Sequence, residues 1–300
     1  MSPILTFNAM NENALCWINQ ALMPASEATI SVFDHGLLYG DGVFEGLRFY
    51  HGKTFKLEQH LQRLQASADG IDLALPYSLD QIALAIETLV GAYPGASGYL
   101  RLVVTRGVGS LGIDPRKCAH PNLFIIADEL AVMDITDPAQ GVRLHVAQTR
   151  RTPAECLDPR VKSLNYLNNI LARIEANRAG CDEALMLNLA GQICEGSVDN
   201  IFIVRGGELQ TPPLEDGMLA GVTRAVILEV AERAGIACRQ ISLQLSDLQQ
   251  ADECFLTGTG AELIPVRQIG AHRLAPARSP LLPTIMQGFK DSIARYCTTG

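Results

Sequence analysis

The chain has 300 residues, 48% of them apolar, and a formal net charge of −8. That length carries one large or two modest domains whose cores bury roughly 75% of the unfolded surface. The acidic balance argues against general nucleic-acid binding but leaves room for a local anion pocket. No apolar run approaches the length of a membrane helix, and residues 1–7 lack a basic segment followed by an apolar core, so a cytoplasmic protein is expected.

Eight cysteines, at 16, 118, 156, 181, 194, 238, 254 and 297, contain no CxxC pair. This argues against a zinc knuckle or a disulfide framework and for mostly buried thiols. The six histidines show no HExxH or paired metal spacing, so no metal is expected.

Residues 4–7 and 15–18 read as short strands around a polar turn at Asn11-Glu12-Asn13. In 32–42, Gly36, Gly40, Asp41 and Gly42 make a tightly bent connection. It has neither GxGxxG nor Walker spacing, so neither dinucleotide nor triphosphate binding follows. Residues 43–50 form a strand whose period of two puts Phe44, Gly46, Arg48 and Tyr50 on one face. After a hairpin at 51–53, a helix over 57–69 buries Leu57, Leu61, Leu64 and Ala68. Arg63 flanks that stripe and, on pattern alone, lends its methylenes to the core. A second helix spans 79–89, closed by Gly91 and Pro94. Residues 98–106 are strongly β-prone, with Tyr99 and Arg101 on the face of Val103. A charge there fits either an edge facing solvent or a strand lining a ligand cavity. Another strand covers 122–127.

Asp134, Asp137, Pro138 and Gly141 mark a linker over 134–141. It separates a small N-terminal α+β domain (1–133) from a larger C-terminal α+β domain (142–300). The second domain begins with a strand at 142–148 and a helix ending near Ala179. Strands at 183–188 and 198–204 bracket a turn at 191–196, and a hairpin closes at 209–211. Gly221-Val222-Thr223-Arg224 opens a helix whose first amides suit an anion. Strands at 238–244 and 253–257 precede Thr257-Gly258-Thr259-Gly260-Ala261-Glu262, a turn with free backbone N–H groups. A last helix covers 283–294, and no internal repeat is present.

Of five lysines, set against nineteen arginines, Lys162 stands apart. It follows a Pro-broken loop, precedes a helix for which Ser163 offers a cap, and is crowded by Asn165, Tyr166 and Asn169. It reads either as a solvated charge or as an amine able to attack a carbonyl and form a Schiff base. Two anion-binding turns, arginines on β faces and a turn carboxylate at Glu195 are what a phosphorylated pyridine aldehyde would use.

Five blocks in order carry a resemblance over nearly the whole chain. They are Tyr39-Gly40-Asp41-Gly42-Val43-Phe44-Glu45-Gly46-Leu47-Arg48, His60-Leu61-Gln62-Arg63-Leu64, Lys162-Ser163-Leu164-Asn165-Tyr166, Glu195-Gly196-Ser197-Val198-Asp199-Asn200-Ile201-Phe202 and Gly258-Thr259-Gly260-Ala261-Glu262. The chain resembles the class-IV pyridoxal-phosphate aminotransferases of fold type IV, and within them the branched-chain amino acid aminotransferases. The resemblance implies an α+β fold of two domains, D-amino acid aminotransferase-like, with mainly antiparallel sheets and flanking helices.

Residue by residue, the resemblance implies that Lys162 carries the cofactor, pyridoxal 5'-phosphate, and shuttles the substrate proton. Arg63, Val222, Thr223 and Thr259 match the phosphate cradle, Glu195 the partner of the ring nitrogen, and Tyr166 the tyrosine at the cofactor O3'. Tyr39, Phe44, Arg48, Tyr99 and Arg101 match the branched-chain substrate pocket, and Thr259 and Gly260 the turn that takes the substrate carboxylate. The loop 109–115 also resembles that subfamily. Leu102 stands where its pattern has proline, and Ser163-Leu164 where it has two glycines; the latter is similar to the D-amino acid and lyase branches. The implied reaction is ping-pong transfer between branched-chain L-amino acids and 2-oxoglutarate, with partners limited to small amino and keto acids and further copies of the chain in a homodimer or higher homo-oligomer. D-amino acid or (R)-amine transamination, an aminodeoxychorismate lyase and a non-enzymatic B6-phosphate-binding protein remain as alternatives.

Overall fold

The computed structural model describes residues 11–129, 141–274 and 280–298, so the expected strand at 4–7 and most of the linker 134–141 lie outside the described residues. Contacts within the chain separate two compact units, Met1–Leu130 and Ala131–Gly300.

The first unit contains β1 (Leu15–Ile18), β2 (Ala21–Pro24), α1 (His35–Tyr39), β3 (Gly42–Tyr50), β4 (Lys53–Thr54), α2 (Leu57–Asp69), α3 (Leu79–Ala92), β5 (Ser97–Thr105) and β6 (Asn122–Asp128). Its strands form one antiparallel sheet ordered β2-β1-β6-β5-β3-β4. Alternation along β3 gives two different faces. Val43, Glu45, Leu47 and Phe49 are fully buried, and α2 packs on this strand. Phe44, Gly46 and Arg48 pair in register with Val103, Arg101 and Tyr99 of β5. Because β5 lies between β6 and β3, Arg101 is not on an edge strand.

Several boundaries differ from expectation. Leu57 is only half-buried at the start of α2, whose inward residues are His60, Leu61, Leu64, Ser67 and Ala68. Helix α3 continues through Gly91, held at its start by a reciprocal Ser78–Gln81 capping box. The glycine-rich connection contains the short helix α1. Asp34 caps it by accepting from the Gly36 N–H, and Gly40, at φ 70°, ends it.

The second unit contains β7 (Val142–Val146), α4 (Leu167–Arg178), β8 (Glu183–Leu187), β9 (Ile193–Gly196), β10 (Asn200–Arg205), β11 (Glu208–Thr211), α5 (Val222–Arg233), β12 (Cys238–Gln240), α6 (Leu245–Gln249), β13 (Glu253–Gly258), β14 (Glu262–Ile269), β15 (His272–Arg273) and α7 (Leu282–Thr298). The sheet order is β12-β11-β10-β13-β14-β7-β8-β9, with β15 on β14. The β7–β8, β7–β14 and β11–β12 pairs are parallel and the others antiparallel. The architecture is therefore α+β, mainly antiparallel. Leu144, Leu185, Ile193, Ile201 and Leu256 meet in its core.

Here too the local signals mislead in places. The expected turn at 191–196 is a turn only at its start, where Gly191 sits at φ +83°. Ile193–Gly196 is a fully buried strand, so Glu195 is a strand residue and not a turn carboxylate. Ser163 does not cap α4: its hydroxyl accepts from the Asn165 N–H, and Tyr166 occupies the cap position without a side-chain bond. The strand expected to 244 ends at Gln240, and α6 follows. The expectation of mostly buried cysteines is corrected as well, since Cys16, Cys194 and Cys254 are buried while the other five are partly or fully exposed. Among the described residues, no helix is long and apolar enough to cross a membrane.

Candidate active site

In the second unit, Lys162 sits half-buried on the loop before α4. It is neither a freely solvated charge nor a fully buried amine. Its Nζ donates to the Tyr166 hydroxyl at 3.2 Å and stands 5.6 Å from that ring's centre. The four-residue spacing brings the tyrosine back beside the amine at the entry to the helix. A polar cavity borders Lys162, with Arg151, Asn165, Tyr166, Asn169 and Leu219 in its wall.

Glu195 is 4% exposed and closely held. Arg151 Nη2 lies 2.9 Å from its Oε1, and the Leu219 N–H donates to Oε2 at 3.0 Å. Arg151 also donates to the Asn169 Oδ1 on α4 at 2.9 Å, linking the carboxylate to the helix that follows Lys162. The Asn200 amide, 3.4 Å from Glu195 Oε2, donates to the Leu219 carbonyl at 3.0 Å. Asn200 approaches the α5 start so closely that a Cβ on Gly221 would fall 1.9 Å from its Oδ1, so only glycine fits. Val222 and Thr223 are buried in the first turn of α5, which has no side-chain cap. Its orphan amides are an anion site by geometry. Thr259 and Gly260 form the corner between β13 and β14, tied to the Glu195 segment through Asp199, which packs on Gly258.

In the first unit, Phe44, Arg48, Tyr99 and Arg101 share one sheet face. The Arg101 guanidinium lies 4.7 Å from the Phe44 ring centre and 5.5 Å from that of Tyr99. Burial pushes the Tyr99 phenol up, keeping it a neutral donor. A Cβ on Gly46 would come 2.2 Å from the Tyr99 hydroxyl, so that glycine makes room for the tyrosine. Tyr39 belongs to α1 instead, and its hydroxyl accepts from the Gly112 N–H at 2.9 Å, anchoring the 109–115 loop.

On the opposite face of β3, Arg63 grips Glu45 with both Nε and Nη2, at 2.7 and 2.9 Å. His60 Nδ1 lies 2.8 Å from the same carboxylate. Burial alone would push the Glu45 carboxyl up, but the Arg63 and His60 charges win and hold it well below the usual carboxylate range. Arg63 is therefore an oriented guanidinium, not a flanking arginine lending methylenes.

Pattern reading missed Glu45, Arg151, Asp199 and Asn200. A signal existed for Glu45, a charge among the inward residues of β3, which must find a partner. Arg151 and Asn200 act through tertiary contacts that no local spacing records.

A lysine beside a tyrosine hydroxyl, a fixed buried carboxylate and an uncapped helix start define the class: an enzyme built around a carbonyl cofactor that bears phosphate and a ring nitrogen. The profile of the family described as amino-transferase class IV matches residues 42–269. A putative branched-chain-amino-acid aminotransferase of Methanocaldococcus jannaschii is 48% identical over 255 residues, 84% of this chain and 87% of that protein. A D-alanine aminotransferase of Listeria monocytogenes is 34% identical over 93% of this chain and 96% of its own. The crystal structure of a branched-chain aminotransferase from the archaeon Thermoproteus uzoniensis with norvaline matches with a TM-score of 0.85 and 34% identity, covering 94% of this chain and 95% of that one. The chain belongs to the class IV aminotransferases and is a pyridoxal-phosphate-dependent transaminase. When bound, that cofactor supplies an aldehyde carbon that accepts amines and a ring that accepts electrons. The donor set fits it: an amine with a hydroxyl neighbour, a carboxylate with a counter-charge, and a helix start without a side-chain cap.

Proposed function

We propose that the enzyme transfers the amino group between branched-chain L-amino acids and 2-oxoglutarate, each half-reaction using the same residues in a ping-pong cycle. Lys162 Nζ would take the proton from the substrate Cα and hold it for return on the far side of the amino nitrogen, with Tyr166 holding the amine in place. Glu195, anchored by Arg151 and Leu219, would answer the ring nitrogen. By the family resemblance, Arg63 from the first unit and the Val222–Thr223 helix start and Thr259 from the second are each assigned to the phosphate they would hold. The Thr259-Gly260 amides receive the substrate α-carboxylate. Tyr39 and Phe44 give the aliphatic side chain an apolar wall, while Arg48, Tyr99 and Arg101 answer glutamate's distal carboxylate. The observation that carries this reading is the β3–β5 face, where an aromatic wall and two arginines stand together. D-amino acid or (R)-amine transamination is the second reading, favoured by Ser163-Leu164 and by the Listeria relative.

We also propose residues 1–133 and 142–300 as the domains, joined by 134–141, in a cytoplasmic homodimer. Supporting the dimer, α4 exposes Leu167, Ile170, Leu171 and Ile174 along one helical stripe, and the first unit exposes Val32, Phe33, Leu111 and Ile113. Light scattering at micromolar concentration checks it, and a monomer would contradict it.

The test of substrate class mixes the cofactor-loaded protein with single donors and follows the cofactor absorbance. Bleaching by L-leucine and L-glutamate supports the branched-chain reading. Bleaching chiefly by D-alanine, D-glutamate or (R)-1-phenylethylamine replaces it with the second.

A further inference from the structure

Three carboxylates are buried together in the second unit. Glu183 on β8, Glu195 on β9 and Asp199 in the β9–β10 connection are 1%, 4% and 3% exposed. Two of them face a guanidinium: Arg173 Nη1 lies 2.8 Å from Glu183 and Arg151 Nη2 lies 2.9 Å from Glu195. Asp199 has no such partner among the described residues. Its Oδ2 meets no hydrogen-bond donor among the described residues. Its Oδ1 is pressed against Gly258, where an added Cβ would come to 2.2 Å. The segment is tightly closed, the Gly196 N–H donating to the Asp199 carbonyl at 2.6 Å.

An ionised carboxylate buried without a partner is strongly unfavourable, whereas the neutral acid brings its own donor. The charged surroundings point the same way. Burial first, then Glu183 and Glu195, push the Asp199 carboxyl up to about 7, while Arg173 on α4 and Lys162 before it oppose this only in part.

We propose that Asp199 is a positioning residue of the transaminase site that works as an uncharged acid, bracing the Glu195 segment against Gly258 and leaving the negative charge of that segment on Glu195. Gly258 immediately precedes the Thr259-Gly260 corner, so the brace also sets where those amides point. Ionisation of Asp199 places a second negative charge beside Glu195 and within reach of Lys162. That strengthens the hold of Lys162 on its proton and depletes the free amine that accepts the substrate proton. Ionisation of Asp199 is therefore expected to give the half-reaction an inflection near pH 7. The inference rests on the transaminase assignment and is independent of the branched-chain substrate.

Infrared difference spectra of the cofactor-loaded enzyme, recorded between about pH 5 and 9, test this without any substrate. A carboxylic-acid carbonyl band that disappears with a midpoint near neutrality is expected, and Asp199→Asn should lack it. The melting temperature gives a second readout. Between the ordinary carboxyl value of 3.8 and about 7, the folded wild type holds a proton that the unfolded chain releases. Wild-type stability therefore erodes as pH rises through that window. The advantage of Asp199→Asn should grow across it and level off above. The same substitution should also remove the inflection from the pH profile of donor bleaching, which a merely structural role would leave in place. Gly258→Ala retains the carboxyl but displaces it, and should move the band's midpoint toward the ordinary carboxylate range; this keeps the test open if the asparagine variant does not fold. A wild type without a titrating acid band, a band that survives in Asp199→Asn, or an unchanged pH profile would overturn the proposal.

Discussion

Replacing Glu45 removes the carboxylate on which Arg63 and His60 both converge. Glu45 is 0% exposed, and the Arg63 and His60 side chains are 12% and 1% exposed, so water does not take over when it is lost. Stripping one partner from a buried pair of this kind costs about 3–5 kcal/mol. Glu45→Gln keeps the shape and an acceptor but not the charge, and should cost less, about 1.5–3 kcal/mol. The chain has one tryptophan, Trp17, in β1 of the same unit and edge-on to Tyr77 at 5.6 Å. Its fluorescence in urea reports on this unit. The pH dependence has a definite sign. The folded-state value of Glu45 lies well below the ordinary 4.5, so its stabilisation is whole above that pH and lost as pH falls through the folded value. The gap between wild type and Glu45→Gln should be constant above about pH 5 and narrow toward strong acid. A Glu45→Ala loss below about 1 kcal/mol, or a gap that widens on acidification, would refute the reasoning. Cofactor affinity should fall in both variants, because Arg63 loses the contact that fixes its plane.

The β3–β5 face gives two further predictions. Arg48→Ala and Arg101→Ala should reduce kcat/KM for L-glutamate by roughly 10–100-fold, the worth of a charge-assisted hydrogen bond, and for L-leucine by less. Equal losses would remove these arginines from distal-carboxylate recognition. Gly46→Ala places a Cβ 2.2 Å from the Tyr99 hydroxyl. The ring end must swing aside, so the KM for glutamate should rise roughly tenfold, about 1.4 kcal/mol, with little change in melting temperature; an unchanged KM would contradict the placement of Tyr99.

The strongest periodic signals carried furthest. Strand β3 was legible because a period of two shows plainly when aromatic and aliphatic residues alternate, and β5 followed from its β-branched run. The mistakes cluster where glycine serves another purpose. Gly191 turns the chain, but Gly196 is the last residue of the buried strand β9, so reading both as punctuation makes a loop of a strand. Gly91 lies inside α3 near its C-terminal end, where the capping box and buried stripe of the helix outweigh the roughly 1 kcal/mol that a helical glycine costs. The site itself was half visible. Lys162 and the two glycine-rich anion turns drew attention as local chemistry, whereas roles for Arg63 and Glu195 came from the resemblance of whole motifs. Arg151, Asn200 and Asp199 were not legible, because what distinguishes them is which buried group they touch across the sheet.

The central claim is that Lys162 is the amine through which this enzyme works. Reductive trapping of the cofactor-loaded protein, followed by mass mapping of its peptides, tests it most directly. The cofactor's mass is expected on the peptide containing Lys162, and none in a folded Lys162→Ala variant, which should also fail to transaminate. Cofactor found on Lys53, Lys56, Lys117 or Lys290, or substantial turnover by Lys162→Ala, would contradict it.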